Sequence, residues 1–371
     1  MKKYPFYIQS TVILFGLILV SYILFYLRVI LIPLGYALML AILLNPVITR
    51  LQKWKFPKIP SIALALLLSL IIIAGIGYFL FTQMSSFSSE LPLFKKKLGD
   101  LFVKFQHELN HRFGINTKKQ DQYMSELEVS MKPLIGSTLG NLASTMGTIF
   151  LLPVLSFLFL YYKTLLLNFI YEVFQEENST NVGTVLLQTK GATQSYMVGL
   201  LLEALIVASL NSVALFVLGI KYAILLGVLG AVLNILPFIG GILAVTLPLM
   251  IATVTKDGFQ SQFWIIVSYI VIQFFDNHFL VPYVVSARVR INALASIVIV
   301  LMGGALWGIS GMFLSIPFIG VLKIIFDRVP DLRPWGKLLG DEVPSKHMGQ
   351  VWNPITRKMW TLQKGNKKTV K

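Results

Sequence analysis

Residues 225–241 read LLGVLGAVLNILPFIGG, and residues 306–320 read LWGISGMFLSIPFIG. Each stretch runs Gly-x-x-Gly, then a short apolar run, then Pro-Phe-Ile-Gly. Each also lies inside an apolar segment, 223–254 or 293–325, that is too long for one straight crossing of a bilayer, which takes about 20 helical residues. A proline removes a backbone donor and frees a carbonyl, and glycines let two backbones approach closely. Such breaks inside a bilayer are tolerated only where protein or a watery cavity surrounds them. Helix-packing glycines of the small-xxx-small kind are the competing explanation. Two copies ending in the same four residues favour a built break.

The composition sets the frame for that reading. Of 371 residues, 56% are hydrophobic and only 13% are charged, against roughly 25% charged in soluble domains. Apolar runs of membrane-spanning length recur from end to end, which defines an all-α, polytopic helical membrane protein. The chain has no cysteine, so disulfides and thiolate metal sites are excluded. The net charge of +16 is scattered over short loops and the C-terminal tail. That distribution fits basic loops facing the cytoplasm and argues against a nucleic-acid partner.

Six to eight spans fit the pattern. The first covers about Ile8–Leu27 and the second Val29–Ile48, with Arg28 between them as a snorkelling residue. The basic loop TRLQKWKFPKIP follows, with no acid in it, and should be cytoplasmic together with the N-terminus. A third span covers Ser61–Thr82. Residues 83–140 then place Phe94, Leu98, Leu101, Phe102, Phe105, Leu109 and Phe113 on one helical stripe, an amphipathic region outside the membrane. A fourth span, Asn141–Tyr162, leads to a polar segment, Lys163–Ser195, and a fifth span follows at Tyr196–Leu218. The helix Trp264–Pro282 is expected to end at Val281–Pro282. The tail from Lys323 carries eleven bases against four acids. If both overlong segments cross once, there are eight spans. If both are re-entrant hairpins there are six, and Arg288 and Arg290 fall on the cytoplasmic side, which charge bias favours.

Charged and amide side chains inside apolar helices are costly and mark functional sites by default. Glu203, Asp276 and His278 stand out, with Asn211, Asn234, Gln273 and Asn277. Asp276 is the candidate for a role in a polar path, and His278 reads better as an interfacial histidine. No zinc-protease, nucleophile-elbow or phosphate-loop motif occurs, and no cofactor is expected. The string Gly308-Ile309-Ser310-Gly311 has the form seen in rhomboid intramembrane proteases, but no histidine follows Ser310 within the membrane to serve as its base.

Two blocks carry a family resemblance. Gly219-Ile220-Lys221-Tyr222-Ala223 followed by LLGVLGAVLNILPFIGG resembles the hallmark of the AI-2E (autoinducer-2 exporter-like) family of bacterial membrane proteins. The stretch from Gln273 to Asp327 is similar to that family's C-terminal block, through Asp276, Asn277, Pro282, Gly303, Gly304, Gly308, Gly311 and Pro317. Ser286-Ala287-Arg288 departs from it, since relatives often have a Gly-containing turn there.

The resemblance implies a homo-oligomeric inner-membrane permease in contact with lipid. It would move a small polar solute, such as an autoinducer-2-like signal, out of the cell, or exchange sodium or lithium for protons. A non-transporting membrane scaffold is the alternative of another class. The implied division is an N-terminal hairpin and third span at 1–82, the amphipathic region at 83–140, a transport core at 141–327 and a basic tail at 328–371. In that core Asn234, Pro237 and Gly240 would shape one wall of a path, and Gly308, Gly311 and Pro317 the other. Asp276, with Asn277 and Glu203, would supply the charge.

Overall fold

The protein is described from a computed structural model, which covers residues 5–88, 96, 99, 103, 150–174, 179–235, 240–256, 258–285 and 291–342. The amphipathic stripe, Pro237, Arg288, Arg290 and the tail beyond residue 342 lie outside the described residues. All regular structure among the described residues is helical. The helices are α1 (Phe6–Tyr26), α2 (Arg28–Lys53), α3 (Lys58–Ser88), α4 (Phe150–Tyr161), α5 (Lys163–Val173), α6 (Ser179–Val217), α7 (Ala223–Asn234), α8 (Gly240–Thr255) and α9 (Gln260–Phe275). A π-helix (Asp276–Val285), α10 (Ala293–Arg328), a 3₁₀ turn (Pro330–Leu332) and α11 (Arg333–Leu339) complete the described elements. Among the described residues six helices are long and apolar enough, by length and composition, to cross a membrane, and the pair α4–α5, bent by 62°, would make a seventh.

Leu27 alone separates α1 from α2, and the Arg28 guanidinium lies 4.6 Å from the centre of the Phe25 ring. Helices α2, α3 and α4 share one apolar core built on Ala41, Leu44, Ile48, Ile62, Leu66 and Leu160. The buried Ser156 hydroxyl donates to the Ala37 carbonyl at 3.2 Å and ties α4 to α2.

Two sequence expectations need correction here. The helix of the fifth span begins well before Tyr196: α6 starts at Ser179 and, with α5, fills most of the polar segment Lys163–Ser195. Hydropathy detects only the apolar part of a helix, and α6 extends well beyond its apolar part. The helix through Trp264 also does not end at Val281–Pro282. It widens into a π-helix that continues to Val285, a local geometry concentrated at functional sites.

Both broken segments are hairpins. In the first, α7 and α8 run antiparallel. Ala244 lies against Gly230, and Gly240 at the start of α8 sits directly on the backbone of Leu233 and Asn234. Their open ends also meet, since Lys256 reaches Gly219. In the second, the single apolar run of α10 breaks at Trp307 (φ −132°) and Gly308 (φ 61°, ψ −143°). The latter is a conformation that only glycine adopts readily. Gly311 then lies against the backbone of Gly303, whereas eight residues of straight helix would separate them by about 12 Å. A straight α10 would be about 54 Å long, yet both of its ends meet α11. Asn292 caps α10 by accepting from the Ala295 amide at 2.8 Å, while its side chain donates to the carbonyls of Leu338 and Gly340.

The hairpins open in opposite directions. The first opens at residues 219–256, just before α9 begins, and the second opens at Asn292, just after the π-helix ends. One full helical traverse, residues 260–285, separates the two openings.

Candidate functional site

Helix α6 organises the interior. Tyr196, Leu200, Glu203, Val207, Asn211 and Leu215 are all buried, and their spacing of three or four residues places them on one face. The N-terminal part of that stripe, Tyr196 and Leu200, packs with Leu314 and Trp307 of the second hairpin and Met39 of α2. The C-terminal part packs on the first hairpin: Val207 meets Ala231, Leu215 meets Ala223 and Leu226, and Gly227 lies against Ser212. Glu203 stands between the two. It is 13 residues after Lys190 and 14 before Val217, or about 20 Å from each along the helix.

At the tip of the first hairpin the apolar packing gives way to polar groups. Asn234 Nδ2 donates to Asp276 Oδ2 at 2.8 Å, joining the last residue of α7 to the first residue of the π-helix. Gln273 Nε2 makes longer contacts of 3.4 Å to Asp276 Oδ2 and to Asn277 Oδ1. Asp276 is only 2% exposed, and its Oδ1 has no hydrogen-bond partner among the described residues. Higher in the same seam the Asn211 amide and the Tyr269 hydroxyl flank Gly230. Asn211 Oδ1 and the Tyr269 hydroxyl likewise lack partners among the described residues. Glu203 is close enough to Asp276 for the two buried carboxyls to interact electrostatically.

Leaving a buried polar atom unpaired costs about 1–3 kcal/mol, and native structures carry few such atoms. Three in one seam, one of them on Asp276, together with the neighbouring Glu203 carboxyl, form a site able to hold a small polar ligand or a cation. The termini of α7 and α8 meet at its edge, bringing carbonyls from one helix end and amides from the other.

Of the residues expected from sequence, Asp276, Asn234, Gly240 and Glu203 come together here. Asn277 neighbours them but is exposed. Gly308, Gly311 and Pro317 belong to the second hairpin, which packs on α6, α2 and α1. Gly308 is at its exposed turn, Gly311 at the contact between its legs, and Pro317 is buried in the returning leg. His278 is exposed, stacks on Phe274 and hydrogen-bonds to the carbonyl of that same residue.

Tyr269 was not singled out from sequence. Its signal was its position, two helical turns before Asp276 on the buried face that also carries Ile265 and Leu280. Trp307 was also missed. Its indole donates to the Leu24 carbonyl at 2.9 Å.

Crossing helices, paired hairpins opening to opposite sides and a polar seam between α6, the first hairpin and α9 describe a multi-pass membrane transporter. Residues 11–331 match the AI-2E family transporter family, and the chain belongs to it. It is similar to YueF of Bacillus subtilis, with 26% identity over 79% of this chain and 82% of that one. YrrI of the same organism is 22% identical over 80% of this chain and 86% of its own length. The AI-2 transport protein TqsA of Escherichia coli is 25% identical over 84% of this chain and 90% of TqsA.

Proposed function

We propose that this protein is a secondary transporter that carries a small polar solute out of the cell through the seam between α6, the first hairpin and α9. The observation that carries the reading is Asp276: a buried carboxyl at a hairpin tip, with one oxygen bonded and the other free of protein partners among the described residues. In this reading Asp276, helped by Asn234 and Asn277, receives the polar face of the solute or an accompanying cation. Glu203 continues the path toward the second hairpin, where Gly308, Gly311 and Pro317 shape the opposite boundary, and Pro237 belongs with Gly240 to the first tip. The similarity to TqsA supports an autoinducer-2-like, hydroxyl-rich solute as the first substrate to try.

The basic ring of Arg50, Lys53, Lys58 and Lys190 supports a bacterial inner-membrane placement with both termini in the cytoplasm. Homo-oligomers are part of the same reading.

Efflux from proteoliposomes loaded with autoinducer-2 tests it. Asp276→Asn should reduce flux to the protein-free background while the variant still purifies as a folded species. Wild-type flux in Asp276→Asn would remove Asp276 from the path.

A further inference from the structure

A second polar site lies away from the Asp276 seam, at the opposite end of α6 from the first hairpin. The last two turns of α2 and an early turn of α6 enclose a cleft of about 640 Å³ lined by Asn45, Thr49, Arg50, Lys53, Lys190 and Gln194. On α2 the residues Asn45, Thr49 and Lys53 recur every four positions, and on α6 Lys190 and Gln194 do the same. The cleft is therefore one polar helical stripe facing another. Among the described residues no carboxylate lines it, and three cations share it with three neutral hydrogen-bonding side chains. A fourth cation closes one side, since Lys163 Nζ donates to Asn45 Oδ1 at 2.9 Å. Lys190 and Lys58 both repel Lys163 electrostatically. Cations held together by two packed helices, with no acid among the lining residues, form a receptor for an anion.

Depth identifies the anion. The cleft begins at Asn45, where the uninterrupted apolar run Val29–Leu44 of α2 stops, just past the buried Leu44 and beside Ile48. At that level a bilayer changes from hydrocarbon to headgroups, and basic pockets between spanning helices there suit lipid phosphates. Pro46 and Val47 border the same cleft and are exposed, giving an apolar flank on which the glycerol and upper acyl chain can lie. We propose that this cleft binds the phosphate of an anionic phospholipid headgroup. Arg50, Lys53 and Lys190 surround the phosphate, and Gln194 and the Asn45 amide nitrogen, whose partner oxygen accepts from Lys163, can donate to headgroup hydroxyls.

The test titrates detergent-solubilised full-length protein with dioctanoyl phosphatidylglycerol, dioctanoyl phosphatidylcholine or inorganic phosphate, and reads bound mass by native mass spectrometry. Phosphatidylglycerol should bind at least fivefold more tightly than phosphatidylcholine. Arg50→Gln and Lys190→Gln should each weaken it by about fivefold, the order expected for one basic residue at a lipid surface. Arg50→Lys should stay within about twofold of wild type. Lys256→Gln removes one charge at the far end of the first hairpin and should change nothing. Equal binding of the two lipids would overturn the proposal, as would a Lys256→Gln effect matching that of Arg50→Gln. Displacement of phosphatidylglycerol by an equal concentration of inorganic phosphate would reject the lipid in favour of a soluble anion.

Discussion

The two hairpins share their wording but differ in what their tips meet. Pro-Phe-Ile-Gly follows the Gly-x-x-Gly of each, and each chain reversal brings backbone against backbone. The tip of α7–α8 presents Asn234 to a buried carboxyl and lies beside amides and a tyrosine hydroxyl. The turn of α10 meets Trp307, Phe313 and Leu314, which pack among Tyr36, Met39, Tyr196 and Leu200. Its polar groups find protein partners: the Ser315 hydroxyl donates to the Gly311 carbonyl at 2.6 Å and the Trp307 indole to the Leu24 carbonyl at 2.9 Å. A break in a helix is thus a way to build a turn inside a membrane. Whether that turn handles a solute depends on the side chains facing it.

The strongest way to break the comparison is to remove the feature both hairpins need. A Cβ at Gly311 would fall well inside van der Waals contact distance of the Gly303 carbonyl oxygen, and backbone cannot swing aside as a flexible side chain can. Gly311→Val should therefore cost about 3 kcal/mol or more and abolish recovery of monodisperse protein. Gly16→Val, where nothing lies within 4 Å, should leave recovery unchanged. Normal yield and melting temperature for Gly311→Val would mean that the legs of the second hairpin are not in contact.

A more selective change separates the tips. Asn234→Leu removes the short donor to Asp276, and hydrogen bonds to charged groups contribute about 1.5–3 kcal/mol. Flux should fall by tenfold or more, with assembly retained. Ser315→Ala on the second hairpin removes a bond internal to one leg and should leave flux within about twofold. If the two variants lose flux equally, the tips do not divide the work as proposed.

Much of this is legible in the sequence. The overlong apolar segments, the glycines and the charge bias pointed to hairpins because each reflects a local constraint, but the second Pro-Phe-Ile-Gly is not itself a break: Pro317 lies within the helical returning leg, and the chain reverses at Trp307 and Gly308. Asp276 stood out because an ionisable group in an apolar helix is costly. The Asn234–Asp276 bond was not legible, since it joins residues 42 apart in sequence and depends on how α9 packs against α7. The full extent of α6 was hidden for another reason. Its first turns are polar and helical at once, and hydropathy measures only the first property. The contact that fixes the second hairpin, from Trp307 to Leu24, spans 283 residues and left no local pattern at either end.

That contact gives the smallest expected effect and a sharp view of the second hairpin. The Trp307 indole donates to a backbone carbonyl of α1, a helix whose apolar side chains are otherwise largely exposed. Trp307→Phe keeps a large apolar ring against the Tyr196–Leu314 cluster and removes only the donor. The loss should be about 1 kcal/mol, read as a melting temperature lower by about 2 °C, with flux close to wild type. If Trp307→Phe instead stops flux in protein that melts normally, the second turn takes part in moving the solute. The hairpins would then be alike in function as well as in sequence, and the apolar packing around Trp307 would be a closed state of the path and not an anchor.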